Sequence, residues 1–75
     1  MDLLLSRNDS FIAIEIKASR RLRPEHFKAL SAIKELKGII RRILVYEGER
    51  AFMDEDGIEV VPVEDFLEIL AIGLK

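Results

Sequence analysis

Two apolar runs open the chain, Leu3 to Leu5 and Phe11 to Ile16, separated by Ser6-Arg7-Asn8-Asp9-Ser10. Asn-Asp flanked by strand formers is a hairpin signal. In the second run Ile12, Ile14 and Ile16 alternate with Phe11, Ala13, Glu15 and Lys17, which is strand periodicity with one isoleucine face to bury. Pro24 suits a first helical position, and Phe27, Leu30, Ile33 and Leu36 then recur every three residues. Ala29 and Ala32 widen that stripe and Gly38 ends it, so a helix is predicted over 24–37. Ile39 to Tyr46 reads as a strand buried on both faces, and strand, helix, strand in this order implies a right-handed parallel crossover.

Ala51-Phe52-Met53 and Ile58 to Val61 flank Asp54-Glu55-Asp56-Gly57 and predict a second hairpin with an acidic turn. Gly57 comes too early in that segment for a calcium loop. Pro62 starts a last helix, with Glu64 and Asp65 placed against its N-terminal dipole. Its expected buried stripe is Val63, Phe66, Leu67, Leu70 and Ala71. Ile69, Ile72 and Leu74 are apolar outside that stripe, which predicts a second contact with a partner subunit or with protein outside this chain. The pattern predicts a mixed α/β (α+β) domain over residues 1–75, a small mixed sheet of four to five strands with two helices in the order β-β-α-β-β-β-α.

Seventy-five residues lie near the lower limit at which one hydrophobic core suffices, and the chain has no cysteine to add a disulfide or a thiolate metal site. Its 49% hydrophobic content supports a packed core rather than disorder. No apolar run approaches the roughly 18 residues of a membrane span, and Met1-Asp2 lacks the basic start of a signal peptide. No membrane partner and a cytoplasmic, reducing location are expected. Charge is unevenly spread: residues 1–42 carry a net +5 and residues 43–75 a net −7, giving −2 overall. The basic half contains the first hairpin and Arg20, Arg21 and Arg23, which could grip a polyanion such as DNA or simply solvate a loop.

One constellation carries candidate chemistry. With 14 acids and five lysines in 75 residues, chance alone yields about one Glu-x-Lys triplet, and Glu35-Leu36-Lys37 supplies a control copy. On a helix, positions i and i+2 point about 200° apart and cannot share a site. Glu15 and Lys17 lie on a strand, where i and i+2 share a face. If the hairpin turns at Asn8-Asp9, opposed residues have numbers summing to 17, and Asp2 falls opposite Glu15, about 5 Å away. Two carboxylates so placed suit Mg²⁺ or Mn²⁺, with waters and a phosphate completing the shell. Lys17 could then orient water or offset phosphate charge. The structural alternative is a cross-strand salt bridge. His26, beside Glu25 in a first helical turn, reads as an exposed surface histidine.

Asp2-Leu3-Leu4-Leu5, followed after eight residues by Ile14-Glu15-Ile16-Lys17-Ala18-Ser19, resembles the core motif of PD-(D/E)XK endonucleases, including archaeal Holliday-junction resolvases. The stretch Ala13 to Arg21, with Arg42-Ile43-Leu44-Val45 and Asp56 to Leu67, resembles the C-terminal domain of uncharacterised prokaryotic AAA-type ATPases. That likeness covers essentially the whole chain and implies a restriction-endonuclease-like core. It further implies metal binding by Asp2 and Glu15, catalytic assistance by Lys17, and an upstream ATPase domain as partner. No helix precedes Asp2, and the chain has no G-x-x-x-x-G-K-[ST] loop. Both departures point to a C-terminal fragment of a longer ATPase chain. Three functions are therefore expected to compete. They are a Mg²⁺-dependent DNA nuclease, an inactive nuclease fold used for DNA binding or docking, and a homo-oligomerisation unit built on Ile69 and Ile72.

Overall fold

The computed structural model describes residues 2–73. Strands β1 (Leu3–Arg7) and β2 (Ser10–Ile16) form the first hairpin. A 3₁₀ turn (Pro24–Phe27) and helix α1 (Lys28–Ala32) lead to β3 (Ile39–Tyr46). Strands β4 (Phe52–Met53) and β5 (Glu59–Pro62) follow, and helix α2 (Val63–Ile72) comes last. The five strands make one mixed sheet in the order β1-β2-β3-β5-β4. Its centre is parallel, β2 with β3 and β3 with β5, and its two edges are antiparallel.

The expected element order, hairpins and parallel crossover are all present. The hairpin turns at Asn8, whose φ of 58° is the left-handed conformation that asparagine tolerates. Its register runs from Leu3 opposite Ile14 to Arg7 opposite Ser10, so every pair sums to 17 as predicted. Strict alternation sorts the central strands onto two faces. On one face, Ile12, Ile14, Ile43, Val45 and Val61 pack beneath Phe66 and Ile69 of α2. On the other, Ala13, Leu44, Tyr46 and Val60 pack with Leu30 of α1 and with Phe27 and Ile33.

Three sequence expectations give way. The helix predicted over 24–37 ends at Ala32, because a spacing of three drifts by about 60° per step on an α-helix. A 3₁₀ turn before the short α1 and three-residue turns after it bring Phe27, Leu30 and Ile33 all onto the sheet instead. The bonds Lys34 N–H to Ser31 O (3.2 Å) and Leu36 N–H to Ile33 O (3.0 Å) continue those turns, and Leu36 is exposed. In α2 the predicted stripe is rotated. Phe66 is buried and Ile69 packs on the core, whereas Val63, Leu67, Leu70 and Ala71 are exposed. Apolar residues occupy nearly every face of that helix, so periodicity could not select one. Ile72 is exposed as expected, and Leu74 lies outside the described residues. Finally, β3 is buried on both faces only over its second half, from Ile43 to Tyr46.

A polar staple ties the β4–β5 turn to α1. Arg42, whose side chain is only 10% exposed, donates from Nη1 to Leu30 O (3.0 Å) and to the Asp56 carboxylate (3.1 Å). Its Nη2 also donates to Asp56 O. Lys34 Nζ approaches the other Asp56 oxygen at 2.7 Å. Lys34 and Arg42 together hold the Asp56 carboxyl down to about 2 from its ordinary 3.8. Arg42→Ala is expected to cost about 2 kcal/mol in urea unfolding, since charged hydrogen bonds in a shielded site are lost. Because Asp56 is depressed when folded, its contribution is full above pH 3.8 and disappears as pH falls through about 2. Asp56→Asn should remove that acid-side dependence, and an unchanged acid unfolding curve would contradict this role.

Candidate functional site

Glu15 sits near the C-terminal end of β2, on the face it shares with Ala13, and pairs in the parallel ladder with Leu44. As part of a strand flanked on both sides it is only 5% exposed, the one buried charged side chain among the described residues. The ladder to β3 continues past β2 through Lys17 N–H to Val45 O (2.9 Å) and Glu47 N–H to Ser19 O (2.9 Å). Extended geometry at Lys17 therefore returns its side chain to the face of Glu15. Lys17 Nζ lies 2.9 Å from Glu15 Oε2. Burial pushes the Glu15 carboxyl up, but nearby positive charge, led by the Lys17 hydrogen bond, outweighs it and holds the group below its ordinary value. Glu15 in turn raises the Lys17 ammonium, first by hydrogen bonding and then by charge.

Asp2 occupies the same end of the hairpin by a different route from the one expected. The regular register stops at Leu3, and the Asp2 N–H donates to Ile14 O (3.0 Å). Its Oδ2 accepts from the Ile16 N–H at 2.6 Å, so the carboxylate closes the end of the ladder rather than standing opposite Glu15 as a ladder pair. Its charge still reaches Lys17 and adds to the rise in that ammonium. Asp2, Glu15 and Lys17 are thus gathered at one end of the sheet. The control triplet is not: Glu35 and Lys37 are both exposed beyond the end of α1.

The basic loop follows directly. Arg20, Arg21 and Arg23 are all exposed, with Arg23 3.9 Å from Glu25. Ser19 Oγ donates to Arg21 O (2.7 Å) and accepts from the Arg21 N–H (3.3 Å), which shapes the loop that presents them. His26 is half-buried rather than exposed, and its Nδ1 accepts from the Arg23 N–H (3.3 Å), a local capping role. Sequence reasoning missed Arg42 and Asp56, because partners 14 residues apart across a turn leave no periodic signal.

The donor set can be tested against a metal. Among the described residues no group of three or more His, Cys, Asp or Glu side chains is placed to hold one. Two carboxylates already engaged in hydrogen bonds or ion pairs have the oxygen chemistry of Mg²⁺ or Mn²⁺, which keep several waters, and do not fit a closed zinc site.

A layered α/β domain, with a charged cluster at one end of a mixed sheet, is the class that fold and site define. The chain belongs to the family described as "Domain of unknown function (DUF4143)", whose model matches residues 1–66. No curated protein and no solved structure matches the chain significantly. No helix among the described residues is long and apolar enough to cross a membrane.

The Glu15–Lys17 pair has a defined pH window. Glu15, lowered when folded, contributes stability above its ordinary 4.5 that is lost as pH falls. Lys17, raised when folded, contributes stability below its ordinary 10.5 that is lost as pH rises through the folded value. Lys17→Met should move the Glu15 titration upward in carboxyl-detected NMR. A Glu15 titration unmoved by that substitution would show that the two groups are uncoupled.

Proposed function

We propose that this chain is a nuclease-like module of the PD-(D/E)XK type, acting on DNA within an AAA-type ATPase assembly. The observation that carries the reading is Lys17 Nζ held 2.9 Å from Glu15 on one strand face, with the charge of Asp2 close enough to reach the same lysine. The family is typically found in AAA-ATPase-associated proteins, which supports the assembly. In this reading Asp2 and Glu15 would hold Mg²⁺ or Mn²⁺. The bound ion supplies Lewis-acid polarisation of a phosphodiester oxygen.

The remaining work falls to the chain itself. Lys17, held 2.9 Å from Glu15, is the ammonium that would offset developing negative charge on the phosphate and orient water. Arg20, Arg21 and Arg23 lie on the adjoining loop and contribute sequence-independent phosphate contacts. Asp2 keeps the strand end closed through Ile16, which fixes the cluster against β2.

A second reading is favoured by the depth of Glu15, 5% exposed and already paired with its own lysine. It is a catalytically silent nuclease fold used for DNA binding or docking in the same assembly. A Mg²⁺-dependent cleavage assay on supercoiled and branched DNA separates the two. The nuclease reading predicts cleavage that falls at least 100-fold in Glu15→Gln and in Lys17→Ala, the scale of a lost transition-state contact. Cleavage unchanged in those variants would refute the assigned roles. DNA binding without cleavage, weakened by Arg21→Ala with a shallower salt dependence, would support the silent fold.

A further inference from the structure

Strand β1 has the composition of an interior strand and the position of an edge. Leu3 and Leu5 project on one side of the sheet and Leu4 on the other, because alternate residues face opposite ways. A strand apolar on both sides is the pattern of one flanked and covered on both sides. Yet β1 ends the sheet, and all five of its residues are exposed, with Leu3 at 43%, Leu4 at 50% and Leu5 at 37%. Protected edges carry a proline, a lysine or a bulge, and Leu3-Leu4-Leu5 carries none. The opposite edge, β4, has only two residues.

We propose that β1 is the contact surface between two copies of this chain, paired antiparallel about a two-fold axis at Leu4. The strand is self-complementary in this arrangement. Leu4 meets Leu4 of the second copy on one face, and Leu3 meets Leu5 of the second copy on the other, so no side chain changes face. Asp2 and Arg7 bracket the leucines with opposite charge. Antiparallel pairing brings each Asp2 to the end where Arg7 of the second copy lies, whereas parallel pairing would set like charges together. A two-fold contact also closes on itself, covering both β1 edges and leaving only the two-residue β4 edges open. The resulting sheet has ten strands, and Glu15 and Lys17 remain on strands one removed from the joint.

The test is the mass of the 75-residue chain by sedimentation equilibrium, with and without Leu4→Lys, in buffer free of divalent ions. A dimer is expected, with its dissociation constant raised at least 10-fold by Leu4→Lys while far-UV dichroism is unchanged. Because that substitution could also weaken folding, Leu4→Cys provides a second reading in a chain otherwise free of cysteine. Residues opposed at the axis have Cα atoms about 4.5–5.5 Å apart, within disulfide range, so oxidation should give a covalent dimer. Leu67→Cys should not give one. A monomer at millimolar concentration overturns the proposal, as does a dimer that Leu4→Cys fails to cross-link. A monomer that instead adds a strand from another protein to β1 overturns the second copy as occupant. None of these outcomes depends on metal binding or DNA cleavage.

Discussion

The parallel pairing of β2 with β3 is the constraint on which the rest of the structure rests. Ile14 faces Ile43, Glu15 faces Leu44 and Ile16 faces Val45 across it. Because side chains alternate, this register decides at once which residues lie under α2 and which lie with α1. A slip of one residue would drive Glu15 beneath Phe66 and lift Ile14 to the opposite face. Wholly buried Ile14, Ile43, Leu44 and Val45 make that slip expensive, at roughly 1.5–3 kcal/mol for each side chain moved from core to solvent. The same pairing carries on through Lys17 and Ser19, and so places the lysine that Glu15 requires.

Glu15 is where this register meets electrostatics. A carboxylate so little exposed would ordinarily be pushed toward its neutral form, but Lys17 keeps it ionised. A buried ion pair is weak evidence for added stability, since an apolar pair of similar size often packs as well or better. Its position at one end of the sheet, with Asp2 and a loop of exposed arginines nearby, is what the proposed function rests on. Asp2 closes the ladder through Ile16, and in the proposed function its second oxygen would be offered to a cation. By contrast, Asp56 is drawn down to about 2 by Lys34 and Arg42, and that cluster fastens a turn to a helix.

Much of this was legible in the sequence, for identifiable reasons. Period-two alternation gave β2, and the Asn8-Asp9 turn fixed a register that the ladder follows from Leu3 to Arg7. The Glu15–Lys17 contact followed from strand geometry alone. Other features were illegible because they depend on tertiary partners. The extent of α1 turned on a three-residue spacing that suits 3₁₀ turns better than a long helix. The buried face of α2 could not be chosen among Val63, Phe66, Leu67, Ile69 and Leu70, because apolar residues surround the helix. Asp2 departs from the ideal ladder in that its N–H donates to Ile14 O and its carboxylate accepts from the Ile16 N–H, contacts that strand periodicity does not encode. The arginine staple joins Leu30, Arg42 and Asp56 from three elements, which no local pattern encodes.

The proposed function depends on one divalent-cation site shared by Asp2 and Glu15 at the end of the first hairpin. Paramagnetic broadening of amide resonances by sub-stoichiometric Mn²⁺ tests it most directly, because broadening falls steeply with distance from the ion. The account predicts loss of the Asp2, Ile16 and Lys17 amide signals first, with the effect abolished in Glu15→Gln. Broadening centred on the acidic turn at Asp54 and Asp56, or on Glu64 and Asp65, would contradict it.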